Sequence, residues 1–206
     1  MEMDSSKQSA PLYGLILAGG RSTRMKRDKA GLLMGDQTLM ARTFALLERH
    51  CSRVFVSNRC DQSQLPLHRA LAQIHDRRDG QGPAGGILAA LETHAEAAWL
   101  VVACDMPYLD EGSISKLIDE RDPSRIATAY ANPRDGMPEP LCAIYEPGCR
   151  GILEEQLHLA ARSPRRILAQ HDVKLIEPDD GDVLRNINLP AEYAEAVRLL
   201  VRTPRE

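Results

Sequence analysis

Residues 15–30 read LILAGGRSTRMKRDKA. A short apolar run meets a Gly-Gly pair at Gly19 and Gly20, and five cations (Arg21, Arg24, Lys26, Arg27 and Lys29) follow within nine residues. An apolar run ended by glycine suits a strand buried on both faces, as in a parallel sheet. The glycines let a backbone turn its N–H groups toward an anion, and Ser22 and Thr23 add hydroxyl donors. Two standard phosphate loops do not fit. After Gly20 no glycine comes until Gly31, and Lys29 is followed by Ala30, so neither G-x-x-x-x-G-K-[ST] nor G-x-G-x-x-G is present. What remains is an anion site of another kind, or a solvated basic connection. Arg24 can fork around phosphate oxygens, and Lys29 supplies a point charge.

Outward from that stretch, apolar runs and helical spacings alternate. Residues 13–17, 53–58, 72–76 and 98–105 read as strands, the last, AWLVVACD, being the clearest. Residues 38–50 have helical spacing with Thr38 placed to cap, and residues 80–86, GQGPAGG, read as a turn into a helix over 87–94. The second half is less regular. Helices are expected over 112–121 and 147–161, strands over 126–130, 141–145 and 173–176, and a last helix from Pro190. This alternation predicts an α/β fold: three layers, α/β/α, around a mostly parallel, mixed, Rossmann-like sheet. Ligands of such sheets bind where the strands end. No internal repeat or linker appears, so residues 12–206 are expected to form one domain behind a flexible tail, residues 1–11.

Composition narrows the function. The 206 residues carry a formal net charge of −3 and only two Phe, five Tyr and one Trp. That is against a nucleic-acid or membrane-surface partner, which would call for a basic footprint or stacking aromatics. No apolar run approaches the roughly 20 residues of a membrane span. Five cysteines with no C-x-x-C spacing suggest neither a disulfide framework nor a zinc site, and a cytoplasmic setting is the default.

Asp105 closes the clearest strand, with Pro107 preventing further pairing. Asp-x-Pro is ordinary turn chemistry. An alternative use for the carboxylate is Mg²⁺, which takes one or two carboxylates together with phosphate oxygens and water. Cys104 beside it reads as a small core residue.

LAGGRSTRMKRDKA resembles the L-A-G-G-x-S-x-R-M-G-x-D-K signature of sugar-nucleotide and cofactor nucleotidyltransferases, with Lys26 where the pattern has glycine. CDMPYL, residues 104–109, is similar to the family's C-D-x-P-[YF]. DGQGPAGG, 79–86, resembles G-P-L-A-G with Ala84 for leucine. EPLCAIY, 139–145, and RNINLPAEY, 185–193, are also similar, the latter with Leu189 where threonine is common. Within the superfamily the chain resembles most the MobA-type molybdenum cofactor guanylyltransferases, over residues 13 to about 200.

The resemblance implies the nucleotide-diphospho-sugar transferase type of fold and GMP transfer from GTP to the phosphate of molybdopterin cofactor, releasing pyrophosphate. It implies Arg24, Lys29 and Asp105 as catalytic residues, Mg²⁺ on Asp105, and nucleotide contacts from Leu17, Ala18, Gly19, Gly20, Lys29, Asn58, Asp76, Gly82 and Asp105. Ser57 competes with Asn58 for its place. Acceptor contacts fall to Asn186, Asn188 and Arg165; Arg165, with Arg162 and Arg166, could equally be a solvated helix face. Molybdenum-insertion and molybdoenzyme-maturation proteins are implied partners. Two alternatives stay open: the same chemistry with CTP or a sugar phosphate, and a noncatalytic nucleotide- or cofactor-binding protein.

Overall fold

The computed structural model describes residues 9–18, 29–75 and 80–201. In chain order the elements are β1 (Leu12–Leu17), β2 (Leu33–Met34), β3 (Gln37–Thr38), α1 (Leu39–Leu47), β4 (Arg53–Asn58), α2 (Pro66–Arg69), β5 (Ala72–His75), α3 (Gly82–Thr93) and β6 (Ala98–Ala103). Then come α4 (Glu111–Asp119), β7 (Ala127–Ala131), β8 (Pro138–Tyr145), α5 (Cys149–His158), α6 (Pro164–Ala169), β9 (Val173–Ile176) and α7 (Pro190–Val201). Seven strands form one sheet in the order β5-β4-β1-β6-β8-β7-β9, and β2 and β3 make a separate hairpin.

The first half is parallel. β1 lies between β4 and β6, with Leu15 level with both Phe55 and Val101, and β4 pairs with β5 in the same sense. The strands are apolar because both faces are covered; every residue of β6 is buried. On one face Ile16, Val56, Leu100 and Val102 meet Met40 and Leu47 of α1 and Ile114 and Leu117 of α4. On the other, Leu15, Phe55, Trp99 and Val101 meet Ile87, Leu88 and Leu91 of α3 and Leu153 and Leu157 of α5. A smaller cluster of Met34, Leu39, Tyr108, Ile187 and Ala196 joins the β2–β3 hairpin to α7.

The second half departs from the parallel scheme at β8, which is antiparallel to both β6 and β7. A tight return explains it: Asn132 N–H donates to the Met137 carbonyl (2.8 Å), with Gly136 at φ +68°. β8 begins three residues earlier than its apolar run suggested. Pro138 and Pro140 are accommodated where the β7–β8 register shifts between Ala129 and Ala131.

α1 starts as the sequence predicts, Thr38 Oγ1 accepting from Ala41 N–H at 3.1 Å. α3 does not, for the glycines read as a turn belong to the helix. Gly86 is needed there, because a Cβ would stand 2.4 Å from Ser57 Oγ on β4. Close helix-to-strand approach outweighs glycine's poor helix propensity.

Candidate active site

Three distant segments meet at the edge where β1 and β6 end. Cys104 N–H donates to the Leu17 carbonyl (3.3 Å), holding the exit of β6 against that of β1, and Asp105 follows at once. Asp110 then caps α4, its Oδ1 accepting from Ser113 N–H at 3.0 Å, so the 104–110 segment is fastened at both ends. Lys29 arrives on the short 3₁₀ turn Lys29–Gly31. Its Nζ donates to Asp105 Oδ2 at 2.7 Å and to Asn188 Oδ1 at 2.8 Å.

Asn188 is delivered by the segment leading into α7. Ile187 N–H donates to the Asp105 carbonyl (2.9 Å), and Ile187 itself is fully buried. Glu192 Oε2 accepts from both Asn188 N–H (2.6 Å) and Leu189 N–H (2.9 Å), and these hydrogen bonds hold its carboxyl below the usual range. Arg185 braces the segment further. Its guanidinium lies 5.2 Å from the centre of the Tyr108 ring while Nη2 donates to Glu195 Oε2 at 2.7 Å.

The Lys29–Asp105 pair is only 15% and 18% exposed. Asp105 Oδ2 is satisfied, but Oδ1 is buried with no hydrogen-bond partner among the described residues. An ionised oxygen left so costs free energy unless something positive reaches it. Other orphaned buried polar atoms gather at the same edge: Gln81 Oε1 just before α3, Asn186 Oδ1 beside Ile187, and Arg165 Nε on α6. Among the described residues no group of three or more His, Cys, Asp or Glu could hold a metal by itself. Asp105 Oδ1 is suited to a hard cation that takes its other ligands from phosphate and water.

The remaining expected residues fall in several places. Leu17 and Ala18 end β1 at this edge, with Ala18 N–H donating to the Ser57 carbonyl at 3.0 Å. Gly82 opens α3 at φ +60° with open space where a Cβ would be. Gly19, Gly20, Arg24, Lys26 and Asp76 lie outside the described residues. Arg165 donates from Nη2 to Asp135 Oδ1 at 2.6 Å, and Arg162 Nη1 to the Gly80 carbonyl at 3.2 Å, so α6 flanks the opening of α3.

Asn58 ends β4. Only 1% exposed, it uses Nδ2 on Gln73 Oε1 (2.8 Å) and His68 Nδ1 (3.0 Å), and Oδ1 on His75 Nδ1 (2.8 Å). The amide ties β4 to β5 and α2.

Glu139 carried no assigned role in the sequence. It is 8% exposed, near the start of β8, with Oε1 accepting from Leu141 N–H (3.2 Å) and Oε2 from Asn132 Nδ2 (3.3 Å). Burial pushes its carboxyl up, against the Leu141 and Asn132 hydrogen bonds and the Arg165 charge. A lone acidic residue opening an apolar strand, PEPLCAIY, was the available signal. A cavity of about 440 Å³ lies behind the 104–111 segment, against α1 and the end of α7, with Arg42, Leu46, Met106 and Leu200 in its wall. Lys29 and Asp105 are not among its lining residues.

This arrangement has relatives. The family model described as the MobA-like NTP transferase domain matches residues 14–175. The chain belongs to the MobA-like NTP transferase family. A "Molybdenum cofactor biosynthesis bifunctional protein" of Synechocystis is 36% identical over 185 residues, covering 90% of this chain and 53% of that protein. This member of the MobA-like family therefore spans about half the length of that relative. A "Probable molybdenum cofactor guanylyltransferase" of Pelotomaculum thermopropionicum is 37% identical over 145 residues, covering 70% of this chain and 68% of its own. Among solved structures, "Molybdopterin-guanine dinucleotide biosynthesis protein A" from Archaeoglobus fulgidus superposes with a TM-score of 0.78 at 20% identity, covering 93% of this chain and 100% of that one. The 2-C-methyl-D-erythritol 4-phosphate cytidylyltransferase of Thermus thermophilus gives 0.66 at 15% identity, covering 92% and 98%. At those identities the likeness establishes the nucleotidyltransferase fold. No helix among the described residues is long and apolar enough to cross a membrane.

Proposed function

We propose that this MobA-like chain is a molybdenum cofactor guanylyltransferase of the cytosol, moving GMP from GTP to the terminal phosphate of molybdopterin cofactor and releasing pyrophosphate. The observation that carries the reading is the convergence of Lys29, Asp105 and Asn188 at the strand edge, with Asp105 Oδ1 left without a partner among the described residues. The names of the Synechocystis and Pelotomaculum relatives support the acceptor and the base.

Attack by an acceptor phosphate on the α-phosphate needs no protein nucleophile, so positioning and charge are what the chain must supply. Lys29, already held by two acceptors, presents its ammonium beside the position of the phosphates. Asn188 fixes that ammonium from the acceptor side, and the opening of α3 at Gly82 leaves room for a nucleotide to approach the backbone. Asp105 is the residue that would hold Mg²⁺, which when bound neutralises charge on the α-phosphate and on departing pyrophosphate. Gly19, Gly20, Arg24 and Asp76 are proposed to complete the nucleotide grip.

Pyrophosphate release by the full chain, with GTP, CTP or ATP and with molybdopterin or glucose 1-phosphate as acceptor, tests the reading. GTP with molybdopterin is expected to be the productive pair, and Asp105→Ala to lower kcat by roughly 100-fold or more, the scale of losing one preorganised charge-stabilising group. Release with CTP but not GTP, or an unaffected Asp105→Ala, would overturn it.

A further inference from the structure

One acidic side chain at this edge has no part in the reaction as derived so far. β8 runs against β6, so its first residues arrive where β1 and β6 end. Val102 pairs with Cys142, so Glu139, three residues before Cys142, lies toward the end of β6 from which Asp105 follows, and the Asp105 charge reaches it. The carboxylate is held in place from two sides, by Leu141 N–H and by Asn132 Nδ2. Asn132 is itself fixed, since its Oδ1 accepts from Arg134 N–H at 3.1 Å in the β7–β8 turn. The charges acting on Glu139 are Arg165 of α6 and Asp105.

Among the described residues Glu139 closes no ion pair, although Arg165 is near enough to influence it; Arg165 is engaged by Asp135, and its buried Nε has no partner there. A buried carboxylate is costly unless its lone pairs are used. Two hydrogen bonds occupy about half of the roughly four lone-pair sites a carboxylate offers. The remainder matches a ligand edge that presents two adjacent N–H donors.

We propose that Glu139 is a specificity-determining residue that binds the acceptor's heterocycle, receiving paired hydrogen bonds from an amino group and the neighbouring ring N–H. The inference rests on the guanylyltransferase reading for its acceptor. A pterin carries that donor pair, and a carboxylate can take both N–H groups in parallel. Guanine carries the same pair, so position decides between them. β1, whose end is proposed for the nucleotide, and β8, which carries Glu139, lie on opposite sides of β6.

Glu139→Gln and Glu139→Ala in the full chain test this, with KM for molybdopterin and for GTP measured separately and 6-hydroxymethylpterin binding followed by pterin fluorescence. Both variants are expected to raise KM for molybdopterin and weaken pterin binding by about 10- to 100-fold, the scale of hydrogen bonds to a charged group. KM for GTP, kcat and the GTP-to-ITP preference should stay within a few-fold. Asn132→Ala, which keeps the carboxylate but releases it, should raise the same acceptor KM by a smaller factor, and provides a second variant should Glu139→Ala not fold. An unchanged acceptor KM in folded Glu139→Gln would overturn the proposal, and so would a shift confined to GTP, which would assign Glu139 to the guanine base. The two readings fail separately. A wild type that binds the pterin through Glu139 but transfers no GMP sinks only the activity; an active wild type that is indifferent to Glu139, or that binds no pterin, sinks only this inference.

Discussion

Glu139 is held at the expense of its own ionisation. Burial favours its protonated form in the folded chain, so its carboxyl sits above the ordinary value of 4.5. Between that value and the raised one the folded state binds more protons than the unfolded, so stability falls as pH rises through the window and the deficit persists above it. Glu139→Gln is therefore expected to raise Tm at pH 7 and to leave it near wild type at about pH 3, where both states are protonated. Calorimetry at the two pH values decides it; a lower Tm at pH 7 would mean that the Leu141 and Asn132 hydrogen bonds outweigh desolvation. Single residues were legible in proportion to how local their surroundings are. Asp105 could be placed because a strand and a proline fix it from within six neighbours, and Lys29 because it follows the same basic run. Asn58 could not, since His68, Gln73 and His75 reach it only after β5 has folded beside β4.

At the scale of elements, α3 and β4 are locked by one missing methyl. Gly86→Ala would drive a Cβ to 2.4 Å from Ser57 Oγ, with an expected cost of about 1–3 kcal/mol for overpacking. With that oxygen removed, the next contacts, Ser57 Cβ and Leu17 Cδ2, are both at 3.4 Å. The double variant Gly86→Ala/Ser57→Ala should recover most of the loss in urea melts, and simple additivity of the two changes would refute the contact. The sequence marks 80–86 as a turn because glycine and proline usually punctuate, and only the partner strand shows why Gly86 stays helical. The β2–β3 hairpin is too short for any alternation to show, at two residues a strand. The reversal of β8 did leave a trace: NPRDGM, residues 132–137, carries both Asn-Pro and Asp-Gly, a turn signal short enough to demand an antiparallel partner.

Across the whole molecule the two halves of the sheet are also bound by Arg121 and Glu146. Arg121 Nε and Nη2 donate to the two Glu146 oxygens at 2.6 and 2.9 Å, and Nη1 to the Ala10 carbonyl at 3.0 Å, joining the end of α4, the end of β8 and the entry to β1. Glu146 is 4% exposed in its side chain, so Arg121→Met leaves a buried charge unpaired. A loss of about 3–5 kcal/mol is expected in chemical denaturation, mostly regained by Arg121→Met/Glu146→Leu. The parallel layout was readable from alternating elements, but this long-range tie was not, its partners lying far apart in the chain. The reversed strand has a further consequence for how such a protein can diversify. On the roles proposed above, the ends of the parallel strands serve the donor nucleotide and the start of the antiparallel strand serves the acceptor. Substrate choice would then be split between separate stretches of chain, and exchanging residues 132–139 is expected to retarget the recipient while the nucleotide apparatus stays as it is.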